Sequence, residues 1–259
     1  VIRIPNSCDQ ENGYMKRVKV ASGFFPLFQE LEYIRAFLLG RMAWSRINGL
    51  MLVSGGLGLF DKEIVLKAGG YNHVSFGEDM ELITRMRIWM HDQKLKYKVT
   101  YIPDSLCWTE VPSTLKVFGN QRTRWAKGLI QTIWFHKKAF FNPKYKIFGM
   151  LSFPYWVFFE WLAPIIEATG ILFYIYLIVS GHITWSYTLI MLSFIYSFSV
   201  MVTIISILWD EISGSHYTKK REIFKLCLAA MAEPFVFDPI VLFFSMKQRG
   251  REARSVQNR

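Results

Sequence analysis

Two adjacent carboxylates, Glu78 and Asp79, follow Gly77 at the start of an apolar helical pattern. A carboxylate in the first turn of a helix lies at the positive end of the helix dipole, which suits a general base or an anionic anchor. Acidic residues also occur there simply because they stabilise the helix. The pair alone therefore favours the structural interpretation over a catalytic one.

A second group of chemically capable residues is Gln121-Arg122-Thr123-Arg124-Trp125. On a helix, Gln121, Arg124 and Trp125 share one face, because they are three and four residues apart. A guanidinium binds a diphosphate bidentately, and an indole face stacks on a sugar ring. The alternative is an interfacial helix whose tryptophan and arginines lie among lipid headgroups. Residues 112–146 hold eight Lys/Arg and no acid, which fits that alternative as well.

A glycine turn, Ser54-Gly55-Gly56-Leu57-Gly58, follows the apolar run at residues 50–53. It lacks both the GxGxxG spacing and a following Lys-Ser/Thr, so it is not a phosphate-binding loop. Glycines permit close approach of the backbone to another group, although a plain tight turn explains the same residues.

Alternating strands and helices must position these residues. The pattern predicts a strand pair within residues 1–20 around Asn12-Gly13, and further strands near 50–53 and 97–102. Helical spacing predicts helices over about 26–45, 61–70, 77–90 and 112–136. This order predicts an α/β fold with partly parallel pairing.

The charge is unevenly divided along the 259 residues, which are 52% hydrophobic and carry a net charge of +11. Residues 1–146 have 22 Lys/Arg against 12 Asp/Glu, whereas residues 147–259 have 9 against 8. So apolar a chain excludes disorder and argues against nucleic-acid binding. We expect a basic soluble part, followed by a membrane part.

Three apolar segments, at residues 147–180, 183–209 and 223–246, form the predicted membrane part. The middle segment has no charge and is long enough to span a bilayer. The third contains Glu233-Pro234 and Asp238-Pro239, which predicts a kinked re-entrant or interfacial segment, after a polar loop at 210–222. Basic residues from Lys247 onward, together with the basic soluble part, predict a cytoplasmic side for both.

Two smaller observations bear on context. Cys8, Cys107 and Cys227 are isolated, so neither a zinc site nor a disulfide framework is indicated. The opening Val1-Ile2-Arg3-Ile4 alternates apolar and basic residues like an internal strand, and we expect the chain to be a fragment of a longer protein.

The ordered set of motifs resembles the membrane-embedded family 2 glycosyltransferases, such as cellulose, hyaluronan and poly-N-acetylglucosamine synthases. Gly77-Glu78-Asp79 is similar to that family's TED/GED acceptor motif, and Gln121-x-x-Arg124-Trp125 to its QxxRW motif. The interval between the two motifs also fits the family, as does the position of the glycine turn upstream of them. The resemblance implies a partial nucleotide-sugar transferase (GT-A) domain over residues 1–140, and transmembrane or interfacial helices with a basic cytosolic tail over residues 141–259.

Site roles follow from the resemblance, residue by residue. Asp79 would be the base that deprotonates the acceptor hydroxyl, with Glu78 beside it. Gln121 and Arg124 would contact the nucleotide diphosphate, and Trp125 the acceptor sugar. The remaining candidates would line the channel near the donor sugar: Gly55, Gly56, Trp108 and Glu110.

The resemblance also implies partners and a cofactor: a nucleotide-sugar donor, a glycan or lipid-linked acceptor, the bilayer, and Mg²⁺ or Mn²⁺. The family holds its metal with a DxD pair, but this sequence contains no DxD. We therefore expect the metal ligands to lie outside it, and the chain alone to be inactive.

Two other classes of protein remain open at this point. Acids within apolar segments mark functional sites by default, so Glu160 and Glu167 would suit a small transporter or channel. A peripheral protein that docks its basic face on anionic lipid would explain residues 112–146 but not Asp79.

Overall fold

The protein is described here from a computed structural model that covers residues 2–12, 14–214, 217 and 219–257, with side chains up to residue 247. The part described is mainly helical. Its helices are α1 (Phe24–Ile34), α2 (Met42–Arg46), α3 (Lys62–Lys67), α4 (Glu78–Asp92), α5 (Leu115–Phe135), α6 (Phe153–Tyr155), α7 (Ala163–Val179), α8 (Trp185–Gly214), α9 (Lys220–Val236) and α10 (Asp238–Gln257). The predicted α/β architecture is thus confirmed only in part, because strands are few and short.

Two small sheets contain the strands. β1 (Ile2–Arg3) runs parallel to β4 (Cys107–Trp108), with Ile2 opposite Cys107. β2 (Asp9–Glu11) and β3 (Tyr14–Arg17) form an antiparallel hairpin. The hairpin confirms the strand pair predicted near the start of the chain, although Gly13 of its predicted turn lies outside the described residues.

The strands predicted at residues 50–53 and 97–102 are wrong, because both segments are irregular. Side chains take the place of a partner strand in the second segment. The Val99 N–H donates to Oδ1 of Asn48 at 2.9 Å, and the Tyr101 N–H donates to Oγ of Ser45 at 2.8 Å. Backbone groups satisfied in this way do not need a ladder, so the apolar alternation does not become a sheet.

The helix predicted over 26–45 is present, interrupted by a π-helical segment. α1 passes into this segment at Arg35–Arg41, and α2 completes the helix. Leu31, Ile34 and Leu38 are buried on its inner face, as their spacing predicts. They form one core with residues of α5, α8 and α9, including Phe118, Ile207 and Leu226. α1 is therefore the helix around which the N-terminal part of the chain and the apolar helices pack.

Capping residues set the limits of the shorter helices as the sequence predicts. The Asp61 carboxylate accepts a hydrogen bond from the Ile64 N–H at 3.1 Å, which caps α3. Gly69 and Gly70 follow that helix with φ of +96° and +69°, a conformation that favours glycine. α4 begins directly after Gly77, so Glu78 and Asp79 are in its first turn.

The apolar segments form one straight helix and two bent pairs. α8 is long and apolar enough to cross a membrane, and only 17% of its most apolar 18-residue stretch is buried. Residues Phe148–Trp161 and α7 bend by 41°, and α9 bends by 44° from Asp238–Lys247. By length and composition the described residues thus hold one candidate span, or up to three if each bent pair is one span.

α8 continues to Gly214, so the loop predicted from residue 210 begins later. Basic side chains beyond Lys247 lie outside the described part.

Candidate active site

Asp79 lies against the glycine turn. Its Oδ2 accepts a hydrogen bond from the Gly55 N–H at 2.8 Å, and its Oδ1 accepts one from the Met80 N–H at 2.7 Å. A methyl group added at Gly55 would lie 3.4 Å from the same Oδ2. The half-buried carboxylate is thus oriented by backbone donors, and the fold joins two motifs that are 24 residues apart.

The turn before Asp79 is packed directly on α5. A methyl group added at Gly77 would lie 2.9 Å from Cα of Gly128, so the two backbones touch where neither residue has a side chain. The Phe76 N–H also donates to Oε1 of Gln131 at 2.9 Å. These contacts fix the start of α4 on the helix that carries the second motif.

The three α5 side chains that share a face differ in their surroundings. Oε1 of Gln121 is buried and has no hydrogen-bond partner in the described part of the chain. Arg124 is exposed, and the Trp125 side chain is 39% exposed. The Arg124 guanidinium and the Trp125 indole are thus accessible to a ligand along this helix, whereas Oε1 of Gln121 is covered by surrounding protein atoms.

The remaining candidates are placed less directly. The S–H of Cys107 donates to the Gly56 carbonyl oxygen at 3.7 Å, so this part of the glycine turn lies beside β4, which also carries Trp108. Within the described ranges, Glu78, Trp108 and Glu110 make no hydrogen bond, ion pair or ring contact with Asp79. Their roles at the site remain predictions.

Two residues that sequence reasoning assigned no role stand next to Trp125. The Arg122 guanidinium forms a bidentate ion pair with Glu32 of α1 and lies over the Trp125 ring, 4.8 Å from its centroid. The three-residue spacing of Arg122 and Trp125 is a signal that the sequence contains. No sequence pattern marks Glu32, because its partner is 90 residues away.

A further cation, Arg41, lies near the site at the end of the π-helical segment. Its guanidinium carbon is 3.9 Å from the centroid of the Phe37 ring. Burial lowers the pKa of Arg41 to about 10, and electrostatic interactions with Tyr101 and Asp79 oppose this shift. The charge of Asp79 therefore acts on a partly desolvated guanidinium.

Two residues beyond Asp79, the buried carboxylate of Glu81 ties α4 to its neighbours. It accepts a hydrogen bond from Nε of Arg85 at 2.8 Å and is 3.0 Å from Nε2 of His136, at the end of α5. Burial opposes ionisation, but the bonds from His136 and Arg85 outweigh it and lower the pKa of Glu81 to about 2. Glu81 is thus a structural anion that keeps α4 and α5 together.

The metal that the family resemblance implies finds no ligand set here. Residues 2–247, apart from the few not described, contain no group of three or more His, Cys, Asp or Glu side chains that could hold a metal ion. The residues present do not fit such a site.

A carboxylate at the start of one helix and a Gln-x-x-Arg-Trp helix packed against that helix are the two features on which the sequence resembles the family 2 glycosyltransferases. Consistent with this, residues 2–210 match the family model "Glycosyl transferase family group 2", and the chain belongs to that family. The predicted resemblance is thereby confirmed. Membership supports a glycosyltransferase rather than the transporter or the lipid-docking protein.

Curated relatives agree with the family. The chain is 32% identical over 124 residues to "Probable glycosyltransferase YdaM" of Bacillus subtilis (strain 168), which covers 46% of this chain and 27% of that protein. It is 27% identical over 215 residues to a poly-beta-1,6-N-acetyl-D-glucosamine synthase of Staphylococcus epidermidis, covering 79% of this chain and 48% of the synthase. It is 30% identical over 120 residues to hyaluronan synthase 2 of Xenopus laevis, covering 41% and 21%.

The chain thus matches between about a quarter and a half of the length of the first two relatives. No solved structure matches it.

Proposed function

We propose that this chain forms the acceptor side of an inverting glycosyltransferase that builds a polysaccharide at a membrane. The proposal rests above all on the Asp79 carboxylate, which is held against the glycine turn at the start of α4. There the chain packs against Gly128 of α5, the helix that also carries Gln121, Arg124 and Trp125. A general base next to a diphosphate-binding and sugar-binding helix is the arrangement that direct sugar transfer needs.

In the proposed step, the acceptor hydroxyl gives its proton to the Asp79 carboxylate as its oxygen attacks the anomeric carbon of the donor. The bond from that carbon to the diphosphate breaks, and the nucleoside diphosphate leaves with the electron pair. Arg124 and Gln121 contact the departing diphosphate, because a guanidinium and an amide complement its oxygens. Trp125 stacks on the acceptor sugar, and Gly55 and Gly56 border the donor sugar.

We further propose that residues 1–140 belong to the cytoplasmic transferase domain and residues 141–259 to the membrane region. The outward-facing apolar side chains of α8 support a bilayer as its surroundings. The name of one relative supports an N-acetylglucosamine donor, which is the first to test. The acceptor is then a growing glycan or a lipid-linked sugar.

The test uses the full-length protein in lipid nanodiscs with Mg²⁺ and a panel of UDP-N-acetylglucosamine, UDP-glucose and UDP-glucuronate. Transfer from one of them is expected, and Asp79→Asn should reduce its rate by about 10²–10⁴-fold, as loss of a general base does. Glu63→Gln is the matched control, since it removes an exposed carboxylate from the first turn of another helix, α3, and should retain most activity. Wild-type turnover in Asp79→Asn would refute the proposed role.

A further inference from the structure

Arg122 stands in the middle of a column of side chains on α5. Its guanidinium carbon lies 4.6 Å from the ring centroid of Phe118 and 4.8 Å from that of Trp125. Spacings of four and three residues put all three side chains on one side of the helix. One part of the Trp125 ring is therefore covered by a cation, while 39% of the residue remains exposed.

The position of this cation is set by a different helix. Nη1 of Arg122 donates to Oε1 of Glu32 at 2.5 Å, and Nη2 donates to Oε2. The Arg122 side chain is only 9% exposed, so its largely buried charge needs the Glu32 carboxylate as its counter-ion. A bidentate pair fixes the plane of the guanidinium as well as its distance, which a lysine in its place could not do.

We propose that Glu32 and Arg122 are positioning residues that hold the Trp125 indole in the orientation in which it stacks on the acceptor sugar. The inference rests on the proposed function of Trp125 and deepens it. Through this pair, the acceptor subsite on α5 is tied to α1, the helix at the centre of the main core. A purely structural pair would join α1 to α5 without affecting Trp125, and the experiment separates the two.

The variants Arg122→Lys and Glu32→Gln are compared in the full-length protein, with UDP-N-acetylglucosamine as donor probe and a β-1,6-linked N-acetylglucosamine oligomer as acceptor probe. Each should raise the acceptor KM about fivefold, the size of effect expected for a partly buried cation–π contact. The donor KM should not change. In a Trp125→Ala background, the same substitutions should have no further effect on the acceptor KM.

Arg35→Lys is the matched control. Arg35 directly follows α1 and, like Arg122, forms an ion pair with a carboxylate of another helix, Glu233. The substitution should lower thermal stability without a Trp125-dependent change in acceptor KM. Equal effects of Arg122→Lys with and without Trp125 would overturn the inference.

A second measurement does not depend on activity. Hydroxyl-radical footprinting followed by mass spectrometry reports the oxidation rate of the Trp125 ring, which should rise in Glu32→Gln and in Arg122→Lys. An unchanged rate overturns the inference, whatever the enzyme does. A separate outcome is that the wild type transfers sugar from none of the donors while the oxidation rate of Trp125 still rises in the two variants. In that case the proposed function fails, and the positioning of Trp125 by Glu32 and Arg122 stands.

Discussion

Individual side chains at the site divide into those held in place and those left free. Asp79 is oriented by two backbone N–H groups, and Trp125 lies under Arg122. Arg124 is exposed and has no ion-pair partner among the residues described. Groups that must be aligned for chemistry are fixed by the protein, whereas the group proposed to bind a diphosphate is left for the ligand.

Trp125→Ala should separate acceptor use from donor binding. Loss of the stacking surface should reduce elongation by about fivefold or more, since an aromatic contact contributes on the order of 1 kcal/mol beyond the area it buries. Nucleotide binding, measured by titration with UDP, should be largely unchanged. Trp134→Ala is the control, because Trp134 is on the same helix and 67% exposed. Equal elongation by both variants would contradict the stacking role.

Glu30 on α1 is expected to make stability depend on pH. Its Oε1 accepts from the Tyr217 hydroxyl at 2.6 Å, and its Oε2 accepts from the Ala21 N–H at 2.8 Å. Burial raises the pKa of Glu30 from 4.5 to about 7, despite these hydrogen bonds. The protonated group therefore contributes stability that is complete below pH 4.5 and is lost as pH rises through 7.

In Glu30→Gln this loss should disappear. The wild type should lose on the order of 3 kcal/mol of unfolding free energy between pH 4.5 and 7 from this group. Thermal unfolding of both proteins across that range measures the difference. The exposed Glu63→Gln should keep the wild-type pH dependence, and parallel curves for Glu30→Gln and wild type would disprove the assignment.

Among the elements, the crossing of α4 and α5 decides whether the two motifs meet. The helices approach at Gly77 and Gly128, and the bond from Phe76 to Gln131 closes the contact. Glu81 secures the same two helices further along through His136. The site is therefore assembled on two packed helices, with the glycine turn as its third side.

Gly128→Ala should disturb this crossing. The added methyl group would lie 2.7 Å from both Cα and N of Gly77, which are backbone atoms that can yield only if the helix start moves. We expect a loss of about 1–3 kcal/mol in stability, typical of overpacking, and a lower kcat because Asp79 is displaced. Gly170→Ala in α7 is the control, since no atom lies within 4 Å of the added group. Wild-type kcat and thermal midpoint in Gly128→Ala would rule out a tight crossing.

Over the whole molecule, buried charges connect the N-terminal part to the apolar helices. Arg3 of β1 pairs with Asp210 near the end of α8, with side-chain exposures of 6% and 1%. Arg35 pairs with Glu233 of α9 and donates to the Thr203 hydroxyl of α8 at 2.8 Å. Such pairs, together with the shared core around α1, join the proposed transferase and membrane regions into one packed unit.

Asp210→Asn should destabilise the protein by about 3–5 kcal/mol, because it leaves the Arg3 charge buried without its counter-ion. Thermal unfolding in nanodiscs measures this loss. Asp92→Asn, which breaks the exposed pair with Lys144, should change stability by less than about 1 kcal/mol. In the double variant Arg3→Met/Asp210→Leu most of the stability should return, and similar losses in the single and double variants would exclude an unpaired charge as the cause.

Features that depend on contacts between residues close in sequence were predictable, whereas those that depend on distant residues were not. The helices α3, α4 and α5 were predictable because spacing and capping residues such as Asp61 act within a few positions of each other. The irregular structure of residues 97–102 was not predictable, since a strand needs a partner and this segment is bound instead by the side chains of Asn48 and Ser45. The sequence identified the candidate site residues that belong to motifs, whereas Glu32, which belongs to no motif, could not be identified in this way.

By itself, the sequence determined the chemical groups of the site, the helices that carry them and the apolar segments that follow. Each of these depends on residue type and local periodicity. Only the tertiary structure decided that Gly55 binds Asp79, that Gly77 touches Gly128 and that Glu32 holds Arg122. Those contacts join residues between 24 and 90 positions apart, and their geometry depends on how whole helices pack.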